Sequence, residues 1–277
     1  MGRSRTDRLH RRDTLTSSYD AIPDFGLLYD SVPLYQARTG DVRFYVEEAT
    51  AARGPVLEVG CGTGRVLLPV ARAGCDVVGI DQSSTMLARC AEKLRAESDQ
   101  VRSQVTLFEA DARDFHLERE FALAIAPFRI VQHLVAVDDQ LRFLAAVRRH
   151  LAPGGRLVFD VFNPSFRALV AADGTEHEDT PPTALPDGRT FRRAARVARV
   201  RWVEQLSEIE IVYYVSPSPG EPERRFVQAF DMRWYLRAEL EHLLARGGFR
   251  LLDAFGDFAR APLGDASPEI VIRAERT

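Results

Sequence analysis

Three glycines at alternating positions, Gly60, Gly62 and Gly64, stand between a short apolar run and a stretch with helical periodicity. In an open α/β sheet, such a turn lets backbone N–H groups and a helix N-terminus approach a ligand closely. The dinucleotide-binding fingerprint would place its third glycine at position 65, where this chain has Arg65. The spacing therefore predicts a ligand-binding turn of another kind, in which Cys61 is a small filler residue between glycines.

Acidic residues stand just before this turn and at the ends of the next two apolar runs. Asp81 follows the turn by roughly 20 positions, where a carboxylate can accept hydrogen bonds from both hydroxyls of an adenosine ribose. Asp111 could accept a hydrogen bond from an adenine amino group, with Ala112 donating its N–H to the ring, although an ordinary loop would also suit Asp111. Glu58 could orient the turn or face a cationic amino group. Turn and acids together predict a nucleoside ligand.

The elements that position these residues follow from an alternation of short apolar runs and amphipathic stretches after residue 54. This rhythm is typical of a parallel sheet covered by helices on both faces. The predicted strands are 55–59, 76–80, 105–108, 121–126, 156–161, 249–255 and 269–274. Helices are predicted over 65–73, where Pro69 would cause a kink, after an N-cap at Ser83 or Ser84, and over 138–150 and 237–246.

The rhythm changes after residue 162. Residues 163–190 contain turn-forming pairs and lack a periodic segment, whereas three later runs alternate like antiparallel strands: 191–202, 204–215 and 225–235. We interpret this part as an inserted antiparallel β element. The resulting division is a flexible basic tail (1–18), N-terminal lid helices with the ligand-binding core (19–162), an inserted β lid or substrate element (163–235) and the C-terminal part of the core (236–277).

Four segments together resemble the successive cofactor motifs of class I S-adenosylmethionine-dependent methyltransferases of the small-molecule type, which include sugar N-methyltransferases. The segments are 56–64, 78–83 followed by Met86 and Leu87, 109–115, and 151–157. The combination is highly specific, and the resemblance runs from about Tyr29 to the C-terminus. It implies a Rossmann-like seven-stranded sheet with the last strand antiparallel, S-adenosyl-L-methionine as the cofactor and S-adenosyl-L-homocysteine as the product.

The resemblance also implies cofactor contacts beyond the turn and the acids. Gln82, Met86 and Pro127 fall at cofactor-binding positions of such enzymes, as do Glu58, the glycines, Cys61 and the acidic strand ends. In similar enzymes a tyrosine from the N-terminal region closes over the cofactor, and a ring face stabilises a sulfonium-bearing ligand. Tyr29 matches this position, with ordinary packing of an N-terminal helix as the alternative.

Candidate residues for the acceptor side lie in the loop after the fourth strand. In the sugar N-methyltransferases that this chain resembles, a histidine before a leucine in this loop lies near the acceptor. His133, followed by Leu134, is the predicted base or substrate positioner, and packing against the next helix is the alternative. Phe128 and Arg129 would border the methyl-transfer pocket, although Arg129 could equally face solvent.

The inserted β element supplies further candidates for contact with the substrate. Arg233 and Tyr235 alternate onto one strand face and are the better candidates. A cluster of arginines could bind a carboxylate or a phosphate, or could form a solvated strand face. Its members are Arg192, Arg193, Arg196, Arg199 and Arg201.

Composition narrows the function classes. The chain has 37 Lys and Arg against 40 Asp and Glu, a net charge of -3, so it lacks the signature of a general nucleic-acid binder. No apolar run approaches the roughly 18 residues of a membrane span. Three cysteines show neither a disulfide framework nor zinc spacing, and no ligand-spaced metal cluster is apparent. We therefore expect reduced thiols, a cytoplasmic location and no membrane partner.

The sequence predicts methyl transfer to an N, O or C atom of a small-molecule acceptor. A nucleic-acid or protein methyltransferase on the same core is an alternative, but residues 126–129 read Ala-Pro-Phe-Arg, without the tetrad of base-modifying enzymes. A non-catalytic cofactor-binding protein is a further alternative, and Arg65 disfavours a nicotinamide dehydrogenase. The acceptor and the choice between monomer and homodimer stay open.

Overall fold

The computed structural model describes residues 22–218 and 221–277, so the predicted tail, 1–18, lies outside the described residues. Within these ranges the strands are β1 (Val56–Val59), β2 (Val77–Asp81), β3 (Val105–Glu109), β4 (Phe121–Ala126), β5 (Leu151–Phe162), β6 (His177–Ala184), β7 (Thr190–Arg201), β8 (Leu206–Ser216), β9 (Arg224–Arg233), β10 (Phe249–Phe255) and β11 (Glu269–Arg276). The helices are α1 (Phe25–Asp30), α2 (Pro33–Ala37), α3 (Gly40–Ala52), α4 (Leu67–Arg72), α5 (Ser84–Arg95), α6 (Asp99–Ser103), a 3-10 helix (Ile130–His133), α7 (Val137–His150), α8 (Phe166–Val170) and α9 (Arg237–Arg246).

Seven of these strands form one mixed sheet in the order β10-β11-β5-β4-β1-β2-β3. Strands β1 to β5 run parallel, and β11 lies antiparallel between β5 and β10. Every residue of β1 is buried because apolar clusters cover both faces, with Leu57 and Val59 in one cluster and Val56 in the other. The predicted seven-stranded sheet with its last strand antiparallel is confirmed.

Local signals explain where the helices near the glycine turn begin. Ser83 is the N-cap of α5, because its hydroxyl accepts a hydrogen bond from the Met86 N–H at 3.3 Å. Pro69 lies in the first turn of α4, where its missing N–H would have no intrahelical partner anyway. The predicted kink at Pro69 is therefore wrong, because the helix begins at Leu67 and not at Arg65.

A second sheet of four antiparallel strands, in the order β6-β7-β8-β9, occupies the segment predicted as an insertion. Three strands were expected there, and β6 is the addition. Its sequence is mostly polar and contains Pro181 and Pro182, which argue against a central strand. The structure places β6 at the sheet edge, with an irregular register against β7 between Thr180 and Thr183. Helix α8 was likewise not expected.

The N-terminal helices and the four-stranded sheet pack against each other through a third apolar cluster. The Phe25 ring of α1 meets the Tyr213 ring of β8 edge-on, with centroids 5.7 Å apart. The lid helices and the inserted sheet therefore form one continuous cover beside the carboxyl ends of the parallel strands. Among the helices in the described ranges, none is long and apolar enough to cross a membrane.

Candidate active site

A cavity of about 870 Å³ lies between the carboxyl ends of β1 to β4 and the cover formed by the lid helices and the inserted sheet. Most of the residues predicted from sequence meet in its lining. From the ligand-binding group these are Tyr29, Glu58, Gly60, Cys61, Gly62, Asp81, Gln82, Met86, Asp111, Ala112 and Pro127, and from the acceptor group Phe128, Arg129 and His133. Gly64, Arg233 and Tyr235 do not line it.

The glycine turn is anchored to β2 by its backbone. The N–H groups of Gly60 and Cys61 both donate to the Ile80 carbonyl, at 2.8 and 3.0 Å. A Cβ on Gly60 would lie 2.3 Å from Ile130 Cδ1, and one on Gly64 would lie 2.6 Å from Cys90 Sγ, so both positions exclude a side chain. A Cβ on Gly62 would approach only Met86 Cε, at 3.5 Å. Gly62 therefore opens the turn to the cavity, whereas Gly64 shapes the turn from behind.

Asp81 joins the turn to the start of α5. Its Oδ2 accepts the Gly62 N–H at 2.8 Å and its Oδ1 accepts the Ser83 N–H at 2.9 Å. Burial raises the pKa of this carboxyl, and the backbone N–H groups that it accepts lower it without cancelling the rise. A carboxylate offers about four acceptor positions. The backbone N–H groups of Gly62, Ser83 and Gln82 therefore leave about one of these positions for a ribose hydroxyl.

Asp111 reaches the cavity wall at the end of β3 but already has a partner. The Arg113 guanidinium binds both of its oxygens, with Nη2 2.7 Å from Oδ2. Burial alone would raise the pKa of Asp111, but the hydrogen bonds from Arg113 outweigh it, and the pKa falls below its ordinary value. Asp111 is thus an ionised acceptor that is held in place by direct hydrogen bonds from Arg113. Arg113 was not predicted as a site residue from the sequence.

Tyr29 belongs to an aromatic wall that joins the lid helices to the loop after β4. Its ring centroid lies 4.8 Å from that of Tyr35 and 6.4 Å from that of Phe128. The Arg193 guanidinium stacks on Tyr35 at 4.6 Å and donates to its hydroxyl at 2.5 Å. Tyr29 therefore packs the lid and lines the cavity, and its contact with the cofactor stays a prediction.

Two arginines at the cavity were not predicted as site residues. Arg65 forms a bidentate pair with Asp41, at 3.1 and 2.7 Å, and Asp41 is only 2% exposed. The guanidinium groups of Arg65 and Arg38 lie 5.0 and 5.3 Å from the centroid of the Phe128 ring. Arg65, which breaks the dinucleotide fingerprint, therefore fixes the lid helix α3 against the turn and the ring of Phe128.

The loop after β4 has an unusual backbone. Phe128 and Arg129 are consecutive non-glycine residues with φ of 60° and 69°, a left-handed conformation that costs energy unless its surroundings enforce it. Asp160 of β5 stabilises this left-handed conformation. Its Oδ1 accepts hydrogen bonds from the Phe128 N–H at 2.8 Å and from the Tyr45 hydroxyl at 2.6 Å. Burial raises the pKa of Asp160 to about 6.

Arg129 is held in place and does not extend freely into solvent. Its Nη2 lies 3.1 Å from Glu269 Oε1, the same oxygen that accepts Arg38 Nη2 at 3.1 Å. The Arg129 guanidinium also lies 5.6 Å from the centroid of the Phe162 ring. Through Glu269, the lid and the loop after β4 therefore share one carboxylate.

His133 ends the 3-10 helix and faces the inserted sheet. Its Nδ1 is buried without a hydrogen-bond partner among the described residues, and its ring lies 5.1 Å from that of Phe230. Burial, followed by the charge of Arg129, lowers its pKa to about 4. The imidazole is therefore neutral near pH 7.

Arg233 and Tyr235 do share one face, with the guanidinium 5.7 Å from the ring centroid, but that face is not the cavity wall. Arg233 donates to the carbonyls of Val135 and Glu204, and the Tyr235 hydroxyl donates to the Val131 carbonyl at 3.2 Å. The prediction that these two residues contact the substrate is thus not supported, because β9 ends at Arg233 and both side chains support the 3-10 helix.

The arginine cluster of the insertion is largely neutralised by carboxylates. Arg192 pairs with Glu223, Arg196 with Glu210 and Arg201 with Glu204. Arg193 is buried against Asp179 and is the member that lines the cavity. Arg192, Arg196 and Arg201 therefore fit a charged strand surface, whereas Arg193 connects the inserted sheet to Tyr35 of the lid.

Neither the cysteines nor the acidic and histidine side chains of the described residues form a nucleophilic or metal-binding centre. Cys61 and Cys90 are buried thiols, and burial raises the pKa of Cys61 well above its ordinary value, which suits a filler residue and not a nucleophile. Across residues 22–218 and 221–277, no group of three or more His, Cys, Asp and Glu side chains is placed to hold a metal ion.

The chain is similar in sequence to known methyltransferases. Residues 56–155 match the family model of the methyltransferase domain. A dTDP-3-amino-3,4,6-trideoxy-alpha-D-glucopyranose N,N-dimethyltransferase from Streptomyces venezuelae is 27% identical over 217 residues, which cover 78% of this chain and 84% of that protein. A carboxy-S-adenosyl-L-methionine synthase from Shewanella loihica is 25% identical over 73% of this chain and 78% of that one.

A solved structure shows the same fold. The CcbJ methyltransferase from Streptomyces caelestis superposes with a TM-score of 0.71 at 25% identity, covering 88% of this chain and 98% of that one. The similarity thus extends beyond the parallel core.

Proposed function

We propose that this chain, a class I S-adenosylmethionine-dependent methyltransferase by family and fold, transfers a methyl group to an amino nitrogen of a small-molecule acceptor. The observation that carries the choice of nitrogen is His133, a neutral imidazole in the lining of the cavity. The relative from Streptomyces venezuelae, whose name describes an N,N-dimethylation of an amino sugar, supports the same choice.

The residues of the cavity fit S-adenosylmethionine. Gly62 faces open space that a side chain would fill, and Asp81 retains about one acceptor position beside it. Glu58 is buried at the base of the turn, and its Oε2 has no partner within the described ranges, as expected of a group that meets a ligand. When bound, the cofactor supplies a methyl group that is already an activated electrophile, so the protein must align an acceptor and exclude water.

The low pKa of His133 discriminates between nitrogen and oxygen acceptors. A hydroxyl needs a general base whose pKa lies near the working pH, and a histidine with a pKa of about 4 is far from that value. An amine that has released its ammonium proton to solvent before it binds already has a nucleophilic lone pair and needs only orientation. His133 can provide it by accepting a hydrogen bond from the amine N–H, which aims the lone pair of the nitrogen at the methyl group.

A matched pair of acceptors tests this proposal. The purified protein would be incubated with S-adenosylmethionine and dTDP-3-amino-3,4,6-trideoxyglucose, or with the same nucleotide sugar carrying a hydroxyl in place of the amine. We expect S-adenosylhomocysteine and an N-methylated product, identified by mass spectrometry, from the amine alone. The variant His133→Leu should lower kcat by about 10-fold, because it removes the hydrogen-bond acceptor that orients the amine.

The control variant is His242→Gln, because His242 is exposed on α9 away from the cavity. Affinity for S-adenosylhomocysteine, measured by isothermal titration, should be equal in both variants and in the parent. Methylation of the hydroxyl compound at the rate of the amine, or an unchanged kcat in His133→Leu, would contradict the proposal.

A further inference from the structure

Gln132, in the 3-10 helix, is a fully buried side chain that binds both sheets of the protein. Its Nε2 donates to the carbonyl of Arg233, the last residue of β9, at 2.6 Å. Its Oε1 accepts the N–H of Phe162, the last residue of β5, at 2.9 Å. One amide therefore joins the end of the inserted sheet to the end of a core strand.

The two backbone groups that Gln132 binds are ones that no neighbouring strand pairs. β4 ends at Ala126, so residues 160–162 of β5 extend beyond it. The Trp234 N–H donates to the Gln205 carbonyl beside the start of β8. The Arg233 carbonyl belongs to the same planar peptide unit, so it points the other way, toward the free edge of β9. The glutamine amide takes the place of a further strand at both positions.

The position of Gln132 also fixes the direction of its neighbour, His133. A 3-10 helix has about three residues per turn, so consecutive side chains diverge by about 120°. Val131 accordingly packs in the apolar core, Gln132 lies between the two sheets and His133 lines the cavity. A helix that is held at Gln132 cannot rotate without breaking a bond to one of the sheets.

The bond to β9 further determines how well His133 is covered. β9 carries Phe230, whose ring lies 5.1 Å from the imidazole, and the same strand ends at Arg233. The bond between Gln132 and Arg233 therefore holds Phe230 over the histidine. Loss of this bond would free the end of an edge strand and let water reach the imidazole.

We propose that Gln132 is a positioning residue, which keeps His133 aligned with the acceptor and shielded from water by holding β9 against the 3-10 helix. It acts through His133, since its own side chain is fully buried and does not line the cavity. This inference rests on the proposed function, because the alignment serves catalysis only if His133 orients the amine.

Gln140 provides a matched control, because it is a second buried glutamine that holds the chain next to His133. It is 4% exposed, and its Nε2 donates to the Leu134 carbonyl at 2.8 Å. Gln140 lies on α7, so its bond ties this part of the chain to the core and not to the inserted sheet. Gln132→Met and Gln140→Met thus each remove a buried amide, and the first of them releases β9.

The titration of His133 tests the inference without any acceptor. Nuclear magnetic resonance of histidine-labelled protein, saturated with S-adenosylhomocysteine, would follow the imidazole from about pH 5 to about pH 8, with His133→Leu identifying its signal. The parent signal should not titrate in this range, because burial holds the pKa of His133 at about 4. Gln132→Met should raise this pKa above about 5, because water enters, whereas Gln140→Met should match the parent. Gln132→Asn, which is too short to reach both sheets, is a second and milder variant with the same expected change.

Kinetics with dTDP-3-amino-3,4,6-trideoxyglucose separate positioning from general destabilisation. Gln132→Met should lower kcat by at least about 3-fold and leave KM and the affinity for S-adenosylhomocysteine unchanged. Because Gln132 acts through His133, the addition of Gln132→Met to His133→Leu should cause no further loss of kcat.

The outcomes distinguish this inference from the proposed function. A His133 signal that fails to titrate in both Gln132 variants, the same change in Gln140→Met, or a further loss of kcat in the double variant would each overturn the inference. If Gln132→Met exposes His133 but the parent forms no N-methylated product, the shielding of His133 by Gln132 stands and the proposed N-methylation is overturned.

Discussion

Substitution of Asp160 by asparagine should remove a specific pH dependence from the stability of the protein. Asp160 is fully buried, and its Oδ1 accepts hydrogen bonds from Tyr45 and from the backbone of Phe128, while Oδ2 has no partner within the described ranges. Burial raises its pKa from the ordinary value of 3.8 to about 6. Asp160→Asn keeps one acceptor oxygen and abolishes the titration.

The sign and size follow from proton linkage. A carboxyl whose folded pKa is raised binds its proton more tightly in the folded state, so its stabilising contribution is complete below about pH 4 and is lost as the pH rises through about 6. Because each pKa unit corresponds to about 1.4 kcal/mol, the loss amounts to about 3 kcal/mol.

His133 acts in the opposite direction over nearly the same pH range. Its pKa falls from 6.5 to about 4 on folding, so its contribution is complete above about pH 6.5 and is lost as the pH falls through about 4. The two contributions are similar in size and nearly cancel in the parent protein. The pH profile of the parent alone therefore cannot reveal either group, and a difference between two proteins is required.

Urea unfolding of the parent and of Asp160→Asn, at several pH values between about 4 and 7.5, gives that difference. The free energy of unfolding of the parent minus that of the variant should fall by about 3 kcal/mol from the lowest to the highest pH. Tyr45→Phe should move this fall to higher pH, because the Tyr45 hydrogen bond lowers the pKa of Asp160. Parallel curves for the parent and Asp160→Asn would refute the reasoning.

Two further predictions concern the cofactor half of the site. Gly64→Ala should lower the free energy of unfolding by about 2 to 4 kcal/mol, because it combines a φ of 80° with a Cβ 2.6 Å from Cys90 Sγ; Gly74→Ala, with a φ of 86° and no atom within 4 Å of the Cβ, should show only the backbone cost of about 1 kcal/mol. Equal losses in urea titrations would contradict this account. Asp81→Asn should weaken binding of S-adenosylhomocysteine by about 10-fold or more in isothermal titration, because it removes one charged acceptor, and unchanged affinity would exclude Asp81 from the ribose site.

The parallel core could be predicted from sequence because its signals are local. Each strand reads as an apolar run, and β4 begins and ends at the predicted residues, Phe121 and Ala126. The cofactor half follows from the same property, since the glycine turn, Asp81 and Asp111 each stand at the carboxyl end of a strand. In contrast, β6 is an edge strand that contains a proline pair, so its pairing depends on β7 and not on its own pattern.

The acceptor half depended on contacts between distant parts of the chain. Tyr45 and Asp160 are separated by 115 positions, and Arg38 and Glu269 by 231. No spacing rule connects such pairs, so Asp160 was not recognised as the residue that holds the Phe128 turn. Strand alternation did predict that Arg233 and Tyr235 share a face, but it could not tell which neighbour that face would meet.

The choice of acceptor atom in the proposed reaction arises in the inserted sheet and not in the parallel core. The core supplies the glycine turn and Asp81, which serve any acceptor equally well. His133 stands on the core side, but the burial that keeps it neutral is completed by Phe230 of β9. Because a neutral, weakly basic imidazole suits an amine better than a hydroxyl, the insertion would set the nucleophile by desolvating one histidine. A substitution of Phe230 that admits water should therefore raise the pKa of His133 and relax the preference for nitrogen.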